Sequence, residues 1–460
     1  MVARNRPPVE TNQILETNCV DLNHSGAGVA RHEGFTLFVP GILPGEQAKV
    51  RVGVVRRNYA DAQLIQIKKN SPQRVEPRCR YFGRCGGCTL QHFAYAEQLA
   101  WKKNRIEAAL QRIGGFTAEV SPVLGMEKPW RYRNKAVVRL EIKNERPAVG
   151  FLESGSHRLV DIDSCPVQHK NNEALINNLR TATSKYLKQR SSPAGQELPC
   201  REVVLRTSFS GEHSLLALIA ERTCGLNSNN CRNVDEIFHL AKLVGAETGV
   251  ELAGISLLGP GSEMESDLTL AGRPLLEDKI GFYRFRISPR AFFQVNPLQA
   301  KVLFEKASAL AESAATVLDL YCGTGTFTLN LARSAQHVIG IDVEGAAIED
   351  ARFNASANGV KNVEFIHARA EDFPAQFKTG IRPLTIFLNP PRTGCSKTLL
   401  SSVSSAAPDQ VIYVSCDPGT MARDLKALSG SGYKIISVQP VDMFPHTTHV
   451  ETVVLMSRVE

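Results

Sequence analysis

The sequence predicts an α/β protein: a doubly wound, largely parallel sheet in its C-terminal part, preceded by a small β-barrel. Two patterns carry this. Beyond about residue 316 the apolar runs "TVLDL", "HVIGID", "VEFIHA", "LTIFLN", "QVIYVSC" and "YKIISVQPV" alternate with helical stretches. Residues 10–69 instead hold four or five short strands, "QILETNCVDL", "GVARHEGFTLFVP", "EQAKVRVGVVRR" and "ADAQLIQIKK". Gly26, Gly28, Gly34, Pro40, Gly41, Pro44 and Gly45 punctuate them, which suggests a closed barrel of OB type. Between these parts, residues 123–286 mix strand and helix, with polar insertions near 189–197 and 225–233.

The chain of 460 residues is long enough for two to four domains and a substantial core. No run of 18 uncharged apolar residues is present, so no membrane span is expected. The amino terminus "MVARNRPPVETNQ" lacks an apolar segment of the secretory kind. Eleven cysteines without an export signal point to a reducing compartment, the cytoplasm, and to thiol or metal chemistry rather than disulfides.

The formal charge of +8 is unevenly spread. Residues 49–84 carry ten Lys and Arg against only Asp61 and Glu76. A one-signed segment of this kind is an electrostatic footprint for a polyanion, and nucleic acid is the expected partner. A solvated face is the alternative. The cysteine-rich stretch "CRYFGRCGGCTLQH" follows, then a helix, "YAEQLAWKKNRIEAALQRI", stopped by Gly114–Gly115. Tyr81, Phe82, Phe93, Trp101, Trp130 and Tyr132 lie among Arg and Lys, where unpaired bases could stack, although each taken singly is more readily a core residue than a platform.

"VLDLYCGTGTFTL" is a strand entering a Gly-rich turn and then a helix. Gly323 and Gly325 let a ligand approach the backbone, and Asp342 ends the next strand, where a carboxylate can accept from a ribose diol. A dinucleotide loop needs a third glycine, but Thr328 stands there. A nucleoside cofactor without a pyrophosphate, S-adenosylmethionine, fits better. "IFLNPPRTGC" is another strand, ending in a stiff loop of Asn389, Pro390, Pro391 and Arg392 at the sheet's carboxyl edge. Cys416 closes "QVIYVSC" at the same edge, just before an Asp-Pro-Gly turn.

With these motifs together, "FFQVN" (292–296), "DLYCGTGTF" (319–327), "NPPR" (389–392), "YVSCDPGTMARDL" (413–425) and "FPHTTHVETVVL" (444–455), the chain resembles the RNA uracil-5 methyltransferase family over nearly its whole length. The resemblance implies a Rossmann-like class I methyltransferase domain, an N-terminal TRAM barrel and a central α+β iron–sulfur domain. The expected divisions are 10–69 for the barrel, 74–92 with 123–286 for the central domain, and 93–122 with 287–460 for the methyltransferase domain. It further implies Cys416 as nucleophile and Glu451 as base, with Gln294, Tyr321, Gly323, Gly325, Asp342 and Asn389 at the cofactor. The chemistry needs those types. Uracil carbon 5 is a poor nucleophile; a thiolate adding at carbon 6 makes it an enolate carbon, and a base must later remove its proton. Arg392 or a helix amino terminus would help the thiol ionise.

Cys79, Cys85, Cys88 and Cys165 match the cysteine pattern of the family's 4Fe–4S branch. Spacing alone also admits a structural zinc held by Cys79, Cys85, Cys88 and either His92 or Cys165. Members with both barrel and cluster mostly modify large-subunit ribosomal RNA, which is the favoured substrate; the T-loop of transfer RNA is the alternative. Neither DNA nor a membrane is expected as a partner, and a monomer is expected. Two departures bear on the cofactor: Asn389 and Arg369 stand where the family usually has Asp and Asn. Two rivals follow. One is an RNA cytosine-5 methyltransferase pairing Cys395 with Cys416. The other is a catalytically weak RNA-binding factor.

Overall fold

The computed structural model describes residues 7–189, 198, 200–219, 233–247, 249–259, 267–311, 314–376, 382 and 384–459. Residues 190–197 and 225–232 of the two polar insertions lie outside the described residues. The chain divides into two compact units, Met1–Lys102 with Phe444–Thr448, and Lys103–Met443 with His449–Glu460.

The first unit holds a closed barrel in the order β1-β2-β3-β5-β4. Its strands are β1 (Ile14–Leu22), β2 (Gly28–His32), β3 (Phe35–Val39), β4 (Gln47–Val55) and β5 (Tyr59–Lys69). The segment read as one strand, "GVARHEGFTLFVP", folds back at Glu33 and Gly34, with φ of 48° and 79°. Two successive positive φ values suit a tight hairpin, which makes five strands of the expected four or five. Alternate residues fill the interior. Ala48, Val50 and Val52 of β4, Leu37 and Val39 of β3, and Ala60 of β5 are fully buried. Beneath the barrel, the buried Glu46 carboxylate accepts from Leu43 N at 2.8 Å, from Ser71 N at 3.2 Å and from Arg74 Nε at 2.5 Å. Burial pushes that carboxyl up, but Arg74 and the backbone donors hold it below its ordinary range.

Helix α1 (Tyr95–Ala109) runs into a π turn, Leu110–Gly114, closed by Gly115 at φ 79°. A mixed seven-stranded sheet follows in the second unit, ordered β12-β11-β10-β9-β6-β7-β8. Its strands are β6 (Lys135–Lys143), β7 (Arg146–Leu152), β8 (Leu159–Asp161), β9 (Glu202–Thr207), β10 (Ser214–Ile219), β11 (Leu252–Leu258) and β12 (Leu268–Gly272). Helices α2 (Lys170–Gln189) and α3 (Asn233–Ala246) accompany it, and the hairpin β13 (Leu276–Ile280) and β14 (Tyr283–Ile287) comes after. Helix α4 (Pro297–Ala309) starts at Asn296, whose side chain caps it, with Pro297 in its first turn.

The last sheet runs β17-β16-β15-β18-β19-β21-β20. It contains β15 (Thr316–Asp319), β16 (His337–Asp342), β17 (Val363–His367), β18 (Leu384–Leu388), β19 (Gln410–Ser415), β20 (Tyr433–Val441) and β21 (Glu451–Arg458). Helices α5 (Thr326–Leu331), α6 (Gly345–Ala357), α7 (Phe373–Gln376), α8 (Lys397–Ala406) and α9 (Pro418–Ser429) connect its strands. From β15 the chain winds outward through β16 and β17, then returns to β18 on the other side of β15. That reversal opens a crevice at the carboxyl ends of β15 and β18, where doubly wound sheets bind ligands. The glycine loop over the crevice is seated by Phe327, whose ring meets Phe304 at 4.7 Å and Phe387 at 4.8 Å. Each buried ring is worth about 1.5–3 kcal/mol, enough to fix the loop's base.

One strand was not legible as such. β21 enters antiparallel between β19 and β20. Its apolar run lies within "FPHTTHVETVVL", which the sequence offers as a motif without showing its direction.

Candidate active site

Cys416 follows the last residue of β19, at the carboxyl edge where the sequence places it. Antiparallel pairing of Val414 with Val453 and Ser415 with Thr452 brings Glu451 opposite it. Glu451 is buried, and desolvation lifts its carboxyl to about 7, with Arg392 opposing. Burial also pushes the Cys416 thiol up to about 11; Glu451 raises it further, while the Arg392 guanidinium, within hydrogen-bonding reach, draws it down. Asp417 caps α9 by accepting from Thr420 N at 2.8 Å, so its carboxylate also faces the thiol. The sequence names Arg392 or a helix terminus as the thiol's aid, and the contact is with Arg392.

The residues expected at the cofactor fall mostly on one strand–loop–helix. Gly323 adopts φ 53°, and a side chain there would meet nothing within 4 Å, so the loop leaves open space on that side. Asp342 accepts from Gly323 N at 2.8 Å through Oδ2 and from Glu344 N at 3.0 Å through Oδ1, which leaves each oxygen a lone pair for a diol. Gly325, at φ 81°, starts α5. Beneath the loop Asp319 is fully buried; its Oδ2 accepts from Thr328 Oγ1 at 2.7 Å, but its Oδ1 has no partner. Burial lifts that carboxyl to about 7. An open cradle, an acceptor pair and an orphaned buried oxygen fit a nucleoside cofactor with hydroxyl and ammonium donors. Asp319 lies inside a motif that the sequence offers, with no role assigned to it there.

Tyr321 is half-buried and hydrogen-bonded to the Cys395 side chain, and burial pushes its phenol well up. Asn389 is half-buried at the end of β18, beside the crevice. Gln294 is buried in the segment leading to α4, and no hydrogen bond of its side chain ties it to the glycine loop. Arg369 is exposed and reaches Glu371 at 3.7 Å, away from any acceptor role. Cys395, the possible second cysteine, is buried; its thiol lies 3.9 Å from the Tyr413 hydroxyl and its backbone N–H donates to Asp424. With Tyr321 as a further partner, these contacts hold Cys395 in the core.

Of the aromatics set among the basic residues, Phe93, Trp101 and Tyr132 are buried, in line with the core reading of each. Tyr81, Phe82 and Trp130 keep part of their surface. In the basic segment Arg74 is committed to Glu46, while Arg51, Arg56, Arg57, Lys68, Lys69, Arg78, Arg80 and Arg84 are exposed. Cys79, Cys85 and Cys88 are half-buried in the turns after β5, and Cys165 is half-buried in the second unit. Among the described residues, no three His, Cys, Asp or Glu side chains are gathered as a metal site. Nor is any described helix long and apolar enough to cross a membrane.

Residues 273–459 match the family model of tRNA (uracil-5-)-methyltransferases, and residues 9–65 match the TRAM domain. The chain is 39% identical to an RNA methyltransferase of Bacillus cereus, described as uncharacterized, with 100% of both chains covered. A similarly described RNA methyltransferase of Halalkalibacterium halodurans is 38% identical over 99% of each. Among solved structures, the tRNA (uracil-54, C5)-methyltransferase of Pyrococcus abyssi, in complex with S-adenosyl-L-homocysteine, superposes with a TM-score of 0.72 at 28% identity, covering 96% of this chain and 100% of that one. A doubly wound sheet with its thiol and carboxyl at one edge, an N-terminal barrel and relatives matched end to end leave one assignment: the chain belongs to the RNA uracil-5 methyltransferase family.

Proposed function

We propose that the protein methylates carbon 5 of one uridine in RNA, with Cys416 as nucleophile and Glu451 as base. The observation that carries this reading is their opposition across the β19–β21 ladder. S-adenosylmethionine, when bound in the Gly323–Asp342 cradle, supplies an electrophilic methyl group. Cys416 Sγ, once it gives up its proton, with Arg392 opposing the effect of burial, adds to carbon 6 of a uracil turned out of its stack and pushes charge toward carbon 5. Glu451, buried and raised to about 7, accepts the proton that carbon 5 sheds after methylation. The carbon 6–sulfur bond then breaks and returns the thiolate.

Large-subunit ribosomal RNA is the favoured substrate, on the pairing of a barrel with the four-cysteine pattern. A second reading, transfer RNA, draws support from the Pyrococcus abyssi neighbour. Methylating both RNAs in vitro and locating 5-methyluridine by mass spectrometry decides between them; methylation of neither would overturn the proposal. A 4Fe–4S cluster on Cys79, Cys85, Cys88 and Cys165 rests on cysteine pattern alone. Iron and sulfide analysis of anaerobically purified protein tests it, and zinc without iron would replace it.

A further inference from the structure

Four side chains outside the reacting set converge on the loop that follows β18. Tyr413, fully buried in β19, donates its hydroxyl to Asp424 Oδ2 at 2.7 Å. The same oxygen accepts the Cys395 backbone N–H at 2.7 Å. Asp424, itself fully buried on α9, binds Arg423 Nε through Oδ1 at 2.8 Å. Arg423 Nη2 then donates to the carbonyl oxygens of Thr393 at 3.0 Å and Cys395 at 3.4 Å. One turn earlier on α9, Thr420 Oγ1 donates to the carbonyl of Arg392 at 3.2 Å. Gly394 takes φ 75°, and a Cβ there would come within 2.5 Å of both Arg423 Nη2 and Asp424 Oδ2. Only glycine lets the loop lie this close.

A fully buried carboxylate is weak support for stability, because its desolvation offsets much of what its partners return. What this one does is fix geometry. Four of these bonds grip backbone at or just after Arg392, the Tyr413 and Arg423 Nε bonds hold Asp424 in place behind them, and Pro390 and Pro391 stiffen the backbone before it. From that loop the Arg392 head reaches the thiol. The other charges facing Cys416 are Glu451 from β21 and Asp417 from its own turn, both negative; Arg105 of α1 lies beside Asp417. Without a fixed Arg392 the sulfur would face two carboxylates.

We propose that Tyr413, Thr420, Arg423 and Asp424 are positioning residues, which lock the Asn389–Cys395 loop so that the Arg392 guanidinium is held against the Cys416 thiol. The inference rests on Cys416 being the nucleophile, but its test reads the thiol directly. In full-length protein without RNA or cofactor, Cys416 alkylation by iodoacetamide is followed against pH, with the modified residue located by mass spectrometry. Arg423→Gln and Thr420→Val should each slow alkylation about threefold to thirtyfold near neutral pH, with the profile displaced upward, as loss of a nearby cation requires. Arg392→Gln should do the same, and the double variant Arg392→Gln/Arg423→Gln should be no slower than Arg392→Gln alone. Arg423→Lys should recover part of the rate.

Arg423 is half-exposed, so its replacement leaves no buried hole; thermal melting checks this, and Thr420→Val decides if Arg423→Gln fails to fold. An unmoved profile in the folded single variants, or additive losses in the double variant, would overturn the proposal. If Cys416→Ala still methylates RNA, the catalytic assignment fails while the alkylation result stands by itself.

Discussion

Glu451 faces Cys416 across the antiparallel ladder of β19 and β21, one step beyond the paired Ser415 and Thr452. Arg392 acts on both, drawing each toward its charged form, while burial opposes it at each. The site is thus a triad of two acids sharing one cation.

Cys416→Ala should abolish methylation while leaving cofactor binding intact, since the cradle at Gly323 and Asp342 lies on other elements. Wild type should form a covalent adduct with 5-fluorouridine RNA, because fluorine does not leave as a proton does. A methylating Cys416→Ala protein would sink the assignment.

Glu451→Gln should slow turnover about 100-fold to 10,000-fold, the usual worth of a general base. Methylated adduct should accumulate with ordinary uridine RNA, visible on a denaturing gel. With the carboxyl near 7, the wild-type rate should also fall as pH drops below that value, because the protonated form accepts nothing. Unchanged turnover without adduct would assign the proton to another group.

The same residue should leave a mark on stability. Burial raises its carboxyl from 4.5 to about 7 in the folded protein. Below the lower value both states are protonated and the full stability is present. As pH rises through the window the unfolded chain releases a proton that the folded one keeps, so stability falls, by about 3 kcal/mol at most. Glu451→Gln lacks this loss. It should exceed wild type in denaturant titrations above pH ~7 and match it near pH ~4; a constant difference across that range would contradict the burial argument.

Asn389→Asp should leave S-adenosylmethionine affinity within a few-fold in calorimetry, since the amide oxygen already offers an acceptor. Exchange of a neutral for a charge-assisted hydrogen bond is worth about 1 kcal/mol. A gain of tenfold or more would mark this chain as a weakened enzyme.

Neutralising Arg51, Arg56 and Arg57 together, all exposed on the barrel, should flatten the salt dependence of RNA binding. Each lost phosphate contact removes about 0.7–0.9 from the log–log slope. An unchanged slope would make this face a solvated one.

Much of this was legible in the chain. The strands at "HVIGID" and "YKIISVQPV" were read with their observed bounds, because apolar runs between turn residues leave little choice. The cradle glycines and Asp342 follow from the strand–loop–helix order. The place of β21 was not legible, since strand direction and neighbour depend on pairing across the sheet rather than on local pattern. Nor was the fate of the aromatics: Trp101 and Tyr132 look alike in sequence whether they stack on bases or fill a core. The grip of Arg423 and Asp424 on the Arg392 loop needed the fold, because its partners lie 28 to 30 residues away in the chain.

Because β21 is wedged between β19 and β20, the sheet is not assembled in chain order. β20 and β21 are sequence neighbours and pair locally as antiparallel partners, whereas β19 meets β21 only across an intervening helix and strand. The cofactor cradle lies on β15 and β16, on the far side of β18 from that seam. A transient opening between β19 and β21 would therefore part Cys416 from Glu451 while the cradle remained folded. Hydrogen exchange at the alternate β21 amides that face β19 should then report catalytic competence separately from cofactor binding, with a mutation that loosens this one seam silencing the chemistry long before it lowers the melting temperature.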